Sequence, residues 1–166
     1  MTGPFEVRRM RVDEWRELRS LRLEALQDSP LAYGSTYAGD VLRPDRDWQE
    51  RAAAAAAGEE EVAIAAVAAG RWVGMARGYL EPPLAHLIAV YVTPDWRRHG
   101  IGEAVSRAVV AWARERGASA VLLGVSDWND GARRVYESIG FVPTGVRRSL
   151  PWNDAVMESE MRLELE

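Results

Sequence analysis

The chain has 166 residues, 48% of them hydrophobic, a formal net charge of −4 and no cysteine. That size fits a single domain, 1–166, able to bury about 70% of its unfolded surface, and the missing thiols exclude disulfides, thiolate nucleophiles and thiolate metal sites. All 21 basic residues are arginine, which excludes a Schiff base, a P-loop lysine and a lysine base as well.

Phe5 to Met10 alternates weakly and predicts a short strand. Asp13 is placed to cap a helix carrying Trp15, Leu18, Leu21, Leu23 and Leu26, which ends before Ser29-Pro30. Leu31 to Arg43 reads as a loop. Pro44 to Ala57 predicts a second helix, with proline in its first turn, an alanine run inside and Gly58 as its stop. The period then changes. Glu61 to Ala68 and Arg71 to Leu80 predict a hairpin about Ala69-Gly70, and Leu84 to Val92 is apolar enough for a buried central strand. Gly100 to Arg116 predicts a helix with Ile101, Val105, Ala108 and Trp112 on one face. Val121 to Val125 is a short strand, and Asp130 to Ile139 a helix closed by Gly140. Phe141 to Arg148 and Ala155 to Leu165 are the last strands. The order β-α-α-β-β-β-α-β-α-β-β is that of one α/β or α+β domain.

The charge pattern is unlike that of a nucleic-acid binder, which carries a basic stripe. No apolar run approaches the ~20 residues of a membrane span, and Met1 to Arg11 lacks the apolar core of a signal peptide, so a cytoplasmic protein is expected.

The informative stretch is Val90 to Gly102, a buried strand running through Thr93-Pro94-Asp95-Trp96-Arg97-Arg98-His99 into Gly100-Ile101-Gly102. A helix start offers N–H groups without internal partners and a dipole that favours anions. Two glycines let a phosphate approach the backbone, and Arg97 and Arg98 supply charge. The dinucleotide fingerprint needs a third glycine where Val105 stands, and the P-loop needs a lysine, so neither motif applies. By itself the stretch is also what any helix start with two turn glycines looks like.

Asn129, Tyr136 and Gly140-Phe141 follow at the spacing that completes a pattern. With them the sequence resembles the GNAT superfamily of N-acetyltransferases, in element order from Phe5 to Leu165 and in sharp motifs from Val90 to Phe141. The resemblance implies an acetyl group transferred from acetyl-CoA to a primary amine of a small molecule, by direct attack in a ternary complex. It implies that Arg97, Arg98, His99, Gly100, Ile101, Gly102 and Glu103 bind the pyrophosphate. Val90, Tyr91 and Val92 would pair their backbone with the pantetheine arm, and a backbone N–H there would polarise the carbonyl. Asn129 would contact the donor and Tyr136 would protonate the leaving thiolate; from the residues alone they read equally as a helix cap and a core tyrosine. No metal is implied.

Some family members carry a glutamate base five residues before the asparagine, where this chain has Gly124. The base is therefore open among His86, Glu81 and Asp127, with His86 titrating in the right range. The acceptor walls of the family correspond here to loops holding Tyr33, Ser35, Thr36, Tyr37, Trp152, Asn153 and Asp154, and Trp96 and Trp128 fall near the expected cleft. Aromatic residues with a few acids suit a cationic amine. Two other readings stay open, a protein or peptide amine as acceptor and an acyl-CoA-binding module without turnover. Family members are often dimers, and the charged face of Ala155 to Leu165 leaves a homodimer undecided.

Overall fold

The computed structural model describes residues 4–166; Met1–Gly3, the start of the stretch read as leaderless, lie outside the described residues. The elements run β1 (Glu6–Arg9), α1 (Trp15–Asp28), α2 (Tyr37–Asp40), α3 (Asp45–Ala57), β2 (Glu61–Ala68), β3 (Arg71–Glu81), β4 (Leu84–Val92), α4 (Ile101–Glu115), β5 (Ala120–Ser126), α5 (Asp130–Ile139), β6 (Val142–Leu150) and β7 (Asn153–Glu164). This is the expected α/β order with one addition. Inside the segment read as loop, Thr36 Oγ1 accepts from the Gly39 N–H at 3.2 Å and starts the short α2.

The seven strands form one sheet in the order β1-β2-β3-β4-β5-β7-β6. Every pairing is antiparallel except β4 with β5. Each face of the sheet carries its own core. On one, Ile101, Val105, Val109 and Trp112 of α4 are fully buried against β2, β3 and β4, with Val109 taking the central place expected of the half-buried Ala108. The helix lies directly on β3 because Gly74 and Gly78 present no side chain. A Cβ at either would come within 2.6 Å of Ile101 Cγ2 or Val109 Cγ1, and overpacking of this kind costs about 1–3 kcal/mol. On the other face α1 and α3 bury Leu18, Leu26, Trp48 and Ala52 against Ala63, Ala65 and Met75.

Three local expectations change. The residue before α1 is Glu14, not Asp13, and its carboxylate joins distant parts of the chain. It accepts from Arg8 at 2.8 and 2.9 Å, from the Arg11 N–H at 2.7 Å and from Trp72 Nε1 at 3.1 Å. The central strand β4 is only partly buried, because it parts from its neighbour halfway along. In β7 the alternation does not split into a buried and a solvated face. Ala155 is exposed, while Glu158 and Glu160 are half-buried, because β7 lies inside the sheet between β5 and β6.

Candidate active site

Strands β4 and β5 pair only over Leu84–His86 with Ala120–Leu122. Beyond His86 they diverge. The ladder with β3 slips where Met75 faces Tyr91 and Arg77 faces Ile88, which leaves one residue more on β4, and Ala89 takes φ +56° at this bulge. A bulge bends its strand and leaves backbone groups unpaired. The result is a cleft of about 600 Å³ between the strand ends. Its floor is Leu87 to Val92 of β4 and Gly124 to Ser126 of β5, and the starts of α4 and α5 stand over it.

The α4 end is shaped for an anion. Gly100 holds φ +80°, a conformation that a side chain would strain, and precedes the first helical residue. The first intrahelical bond runs from the Ala104 N–H to Gly100 O at 3.0 Å, so the N–H groups of Ile101, Gly102 and Glu103 stand free of the helix ladder at its positive end. A Cβ on Gly102 would meet only Val92 Cγ2, at 3.9 Å, which leaves room for a ligand to reach that backbone. Arg98 lines the cleft with φ +65°. Arg97 also lines it, but its guanidinium is engaged: Nη2 pairs with Asp28 Oδ2 at 2.5 Å and Nε donates to Val92 O at 3.0 Å. It therefore braces the loop against the end of α1. His99 turns its ring back into the loop, with Nδ1 2.7 Å from Arg97 O and 3.1 Å from Trp96 O.

Opposite, α5 brings two groups to the cleft. Asn129 caps the helix, its Oδ1 accepting from the Ala132 N–H at 3.2 Å, so its carboxamide both holds the helix start and borders the cleft. Tyr136 lies two turns further, packed edge-on against Phe141 with ring centroids 6.1 Å apart. It is 8% exposed. Burial pushes its phenol well above the ordinary value, which keeps the proton on the oxygen at any working pH.

The profile of the acetyltransferase (GNAT) family matches residues 14–141. The chain belongs to this family. Among relatives, it is 41% identical to the mycothiol acetyltransferase of Thermobispora bispora over 59 residues, 36% of this chain and 20% of that protein. It thus spans about a fifth of that relative's length. It is 28% identical to the [ribosomal protein bS18]-alanine N-acetyltransferase of Escherichia coli K12 over 102 residues, 61% of this chain and 69% of the relative. A Salmonella typhimurium chain solved with its cofactor acetyl-CoA superposes with a TM-score of 0.82 at 16% identity, covering 99% of this chain and 95% of that one. At that identity the likeness is one of fold.

Of the residues expected to line a GNAT site, the structure brings Val90, Tyr91, Val92, Arg97, Arg98, Gly100, Ile101, Gly102, Glu103, Asn129, Tyr136, Tyr33 and Trp128 to the one cleft. Two of the open valences of β4 are already used. Val90 O accepts from Tyr33 OH at 2.9 Å, and Val92 O from Arg97. The two acceptor-wall loops meet each other: Trp152 Nε1 donates to Tyr33 O at 2.8 Å. Trp152 itself and Tyr37 stand outside the cleft lining. Ser126 and Trp128 were joined to neither loop by the sequence, yet both donate to Leu31 O, at 2.9 and 3.3 Å.

None of the three base candidates is part of the main cleft's lining. His86 stacks on Tyr79 with centroids 4.5 Å apart and holds Glu81 Oε1 at 3.1 Å from Nε2. It lines a smaller hollow of about 160 Å³ that touches the main cleft at Leu87, Ile88 and Gly124. Asp127 is committed to Arg147 and to Ser159 Oγ, which hold its carboxyl below the usual range. Sequence reasoning did not single out Glu158. It lines the same hollow, and its carboxylate lies over the Cα of Gly124.

Proposed function

We propose that this GNAT enzyme transfers the acetyl group of acetyl-CoA to a primary amine of a small molecule, the amine attacking the thioester directly while both are bound. The observation that carries this is the parting of β4 from β5 under the start of α4, with the Tyr136 phenol inside the gap. A pyrophosphate fits the free N–H groups of Ile101 to Glu103 with Arg98 beside them. An extended pantetheine arm fits along β4 beyond His86, where β5 no longer pairs with it, and would extend the sheet through the groups that Tyr33 and Arg97 leave free.

The residues then divide the chemistry. The cleft holds nucleophile and thioester in contact, and positioning of that kind supplies on the order of 7–11 kcal/mol of a barrier. Backbone N–H groups at the β4 bulge offer a donor for the oxygen that gains charge. Tyr136, kept protonated by burial, gives its proton to the departing sulfur.

The Trp152–Tyr33 bond favours a small acceptor, because it ties the two loops together beside the cleft that Tyr33 lines. A peptide N-terminus is the second reading, favoured by the likeness to the bS18-alanine N-acetyltransferase. The test is thiol release from acetyl-CoA over polyamines, amino-acid amides, aminoglycosides and alanine-initiated peptides, with acetyl-CoA binding followed by calorimetry. Release with free amines and not with peptides is the expected result. Release with peptides alone would replace the small-molecule acceptor, and absence of acetyl-CoA binding would overturn the donor.

A further inference from the structure

At position 124 the chain has no side chain, yet the space is not empty. A Cβ built on Gly124 would lie 2.8 Å from Glu158 Oε1, 2.9 Å from its Cδ and 3.0 Å from Oε2. These are closer than real Cβ contacts, so the carboxylate of Glu158 fills the volume that a side chain on β5 would take. In the β5–β7 ladder Glu158 faces Ser126 and Gly124 faces Glu160. The glutamate reaches its place diagonally, across the gap that glycine leaves, a distance long side chains span. Gly124 borders both the main cleft and the hollow that Glu158 lines. The carboxylate therefore stands where the two spaces meet.

We propose that Glu158 is the group that receives the acceptor's ammonium in this hollow and takes its proton, a carboxylate supplied from β7 at the position β5 leaves open. This rests on the transferase reading above. The neighbouring charges are already matched. Arg148 of β6 gives its Nη2 to Glu160 Oε2 at 2.9 Å, and Glu160 also accepts from Thr144 at 2.9 Å. His86 of β4 is held on Glu81, with Tyr79 of β3 stacked over it. Among the described residues no side chain hydrogen-bonds to the Glu158 carboxylate, which leaves its oxygens for a ligand. Burial raises its proton affinity, against the pull of Arg148, and a higher proton affinity makes a carboxylate a better proton acceptor. The hollow joins this acid to aromatic Tyr79 and apolar Ile88 and Leu122, so it suits a primary ammonium on a short apolar stem.

The protons balance. The ammonium gives one to Glu158, which passes it to solvent. The freed amine forms the N–C bond and the C–S bond breaks. The sulfur takes the proton of Tyr136, and the second proton shed by the acylated nitrogen restores the phenol. One proton is released per turnover.

The test compares wild type with Glu158→Gln on spermidine, kanamycin, alanine amide and an alanine-initiated pentapeptide, by thiol release, with acetyl-CoA binding measured in parallel. For the best of these acceptors kcat/KM at pH 7 falls about 10²-fold or more, while acetyl-CoA affinity stays within about twofold. The pH profile also changes shape. The variant depends on free amine and its rate climbs about tenfold per pH unit toward the amine's own pKa, whereas wild type levels off once Glu158 is ionised. The double variant Gly124→Glu/Glu158→Ala, which puts a carboxylate in the same volume from β5, regains a level profile. A Glu158→Gln enzyme within about threefold of wild type, or slower with an unchanged profile, overturns the proposal. A double variant that keeps its Tm but stays as slow as Glu158→Gln overturns the placement. Wild type that binds no acetyl-CoA, or releases no thiol with any of the four, overturns the transferase reading instead.

Discussion

The hydroxyl of Tyr33 donates to the backbone carbonyl of Val90 at 2.9 Å. The bond ties the loop after α1 to the bulged edge of β4, and the same residue's carbonyl takes the Trp152 indole. Tyr33 is thus a strut between the donor edge and the acceptor wall. Its phenol is raised to about 12 by burial, so it donates at every working pH. Tyr33→Phe removes one neutral bond, worth about 1 kcal/mol, and lowers Tm by about 2–4 °C. Thermal unfolding monitored by circular dichroism checks this. An unchanged Tm would mean that the strut adds nothing to stability.

Tyr136→Phe keeps the edge-on packing against Phe141 and removes only the hydroxyl that carries the proton. The expected outcome is kcat lower by about 10²-fold with acetyl-CoA affinity retained. Steady-state thiol release and calorimetry read the two quantities. Turnover at the wild-type rate would take Tyr136 out of the acid role.

Gly102→Val separates binding from folding. Its Cβ has space beside Val92, so Tm stays close to wild type, while the branched side chain stands between a phosphate and the N–H groups of α4. Acetyl-CoA affinity falls by about 10-fold or more, the loss of one charge-assisted hydrogen bond of about 1.5–3 kcal/mol. Titration calorimetry decides, and undiminished affinity would move the phosphate site off this helix end.

Glu14 makes stability depend on acid. Its bidentate Arg8 partner first, then the Arg11 N–H and the Trp72 indole, hold its carboxyl at about 2 against an ordinary 4.5. A depressed carboxyl contributes its full stability above pH 4.5 and loses it as pH falls toward 2. The full shift would correspond to about 3 kcal/mol, and solvent screening of this partly exposed carboxylate reduces the contribution to about 1–2 kcal/mol. Urea unfolding of wild type weakens across that window, and Glu14→Gln is weaker at neutral pH and flatter below it. Parallel curves for the two proteins would dismiss Glu14 as the acid-labile group.

Much of the fold was legible because it is written in local spacing. The hairpin about Ala69-Gly70, with φ +49° and +75°, follows from a two-residue turn between apolar runs. The helix of Gly100 to Arg116 follows from its apolar stripe. Burial of β4 was misjudged because an apolar run does not reveal where a strand bulges. The last strand was read with one charged face because its alternation was taken alone, whereas the sheet order puts β7 between β5 and β6, where Glu158 and Glu160 are half-buried.

The sequence by itself determined the residues of the proposed donor side: glycines and arginines at a helix start, then Asn129 and Tyr136 at fixed distances. Those residues lie on short stretches of backbone, and spacing along a strand or helix sets where their side chains stand. Only the tertiary structure decided the contacts on which the proposed acceptor side rests. Glu158 reaches Gly124, Tyr33 reaches Val90 and Trp152 reaches Tyr33 across separations that no local pattern encodes. They meet because sheet order, one bulge and one missing side chain bring them within contact distance.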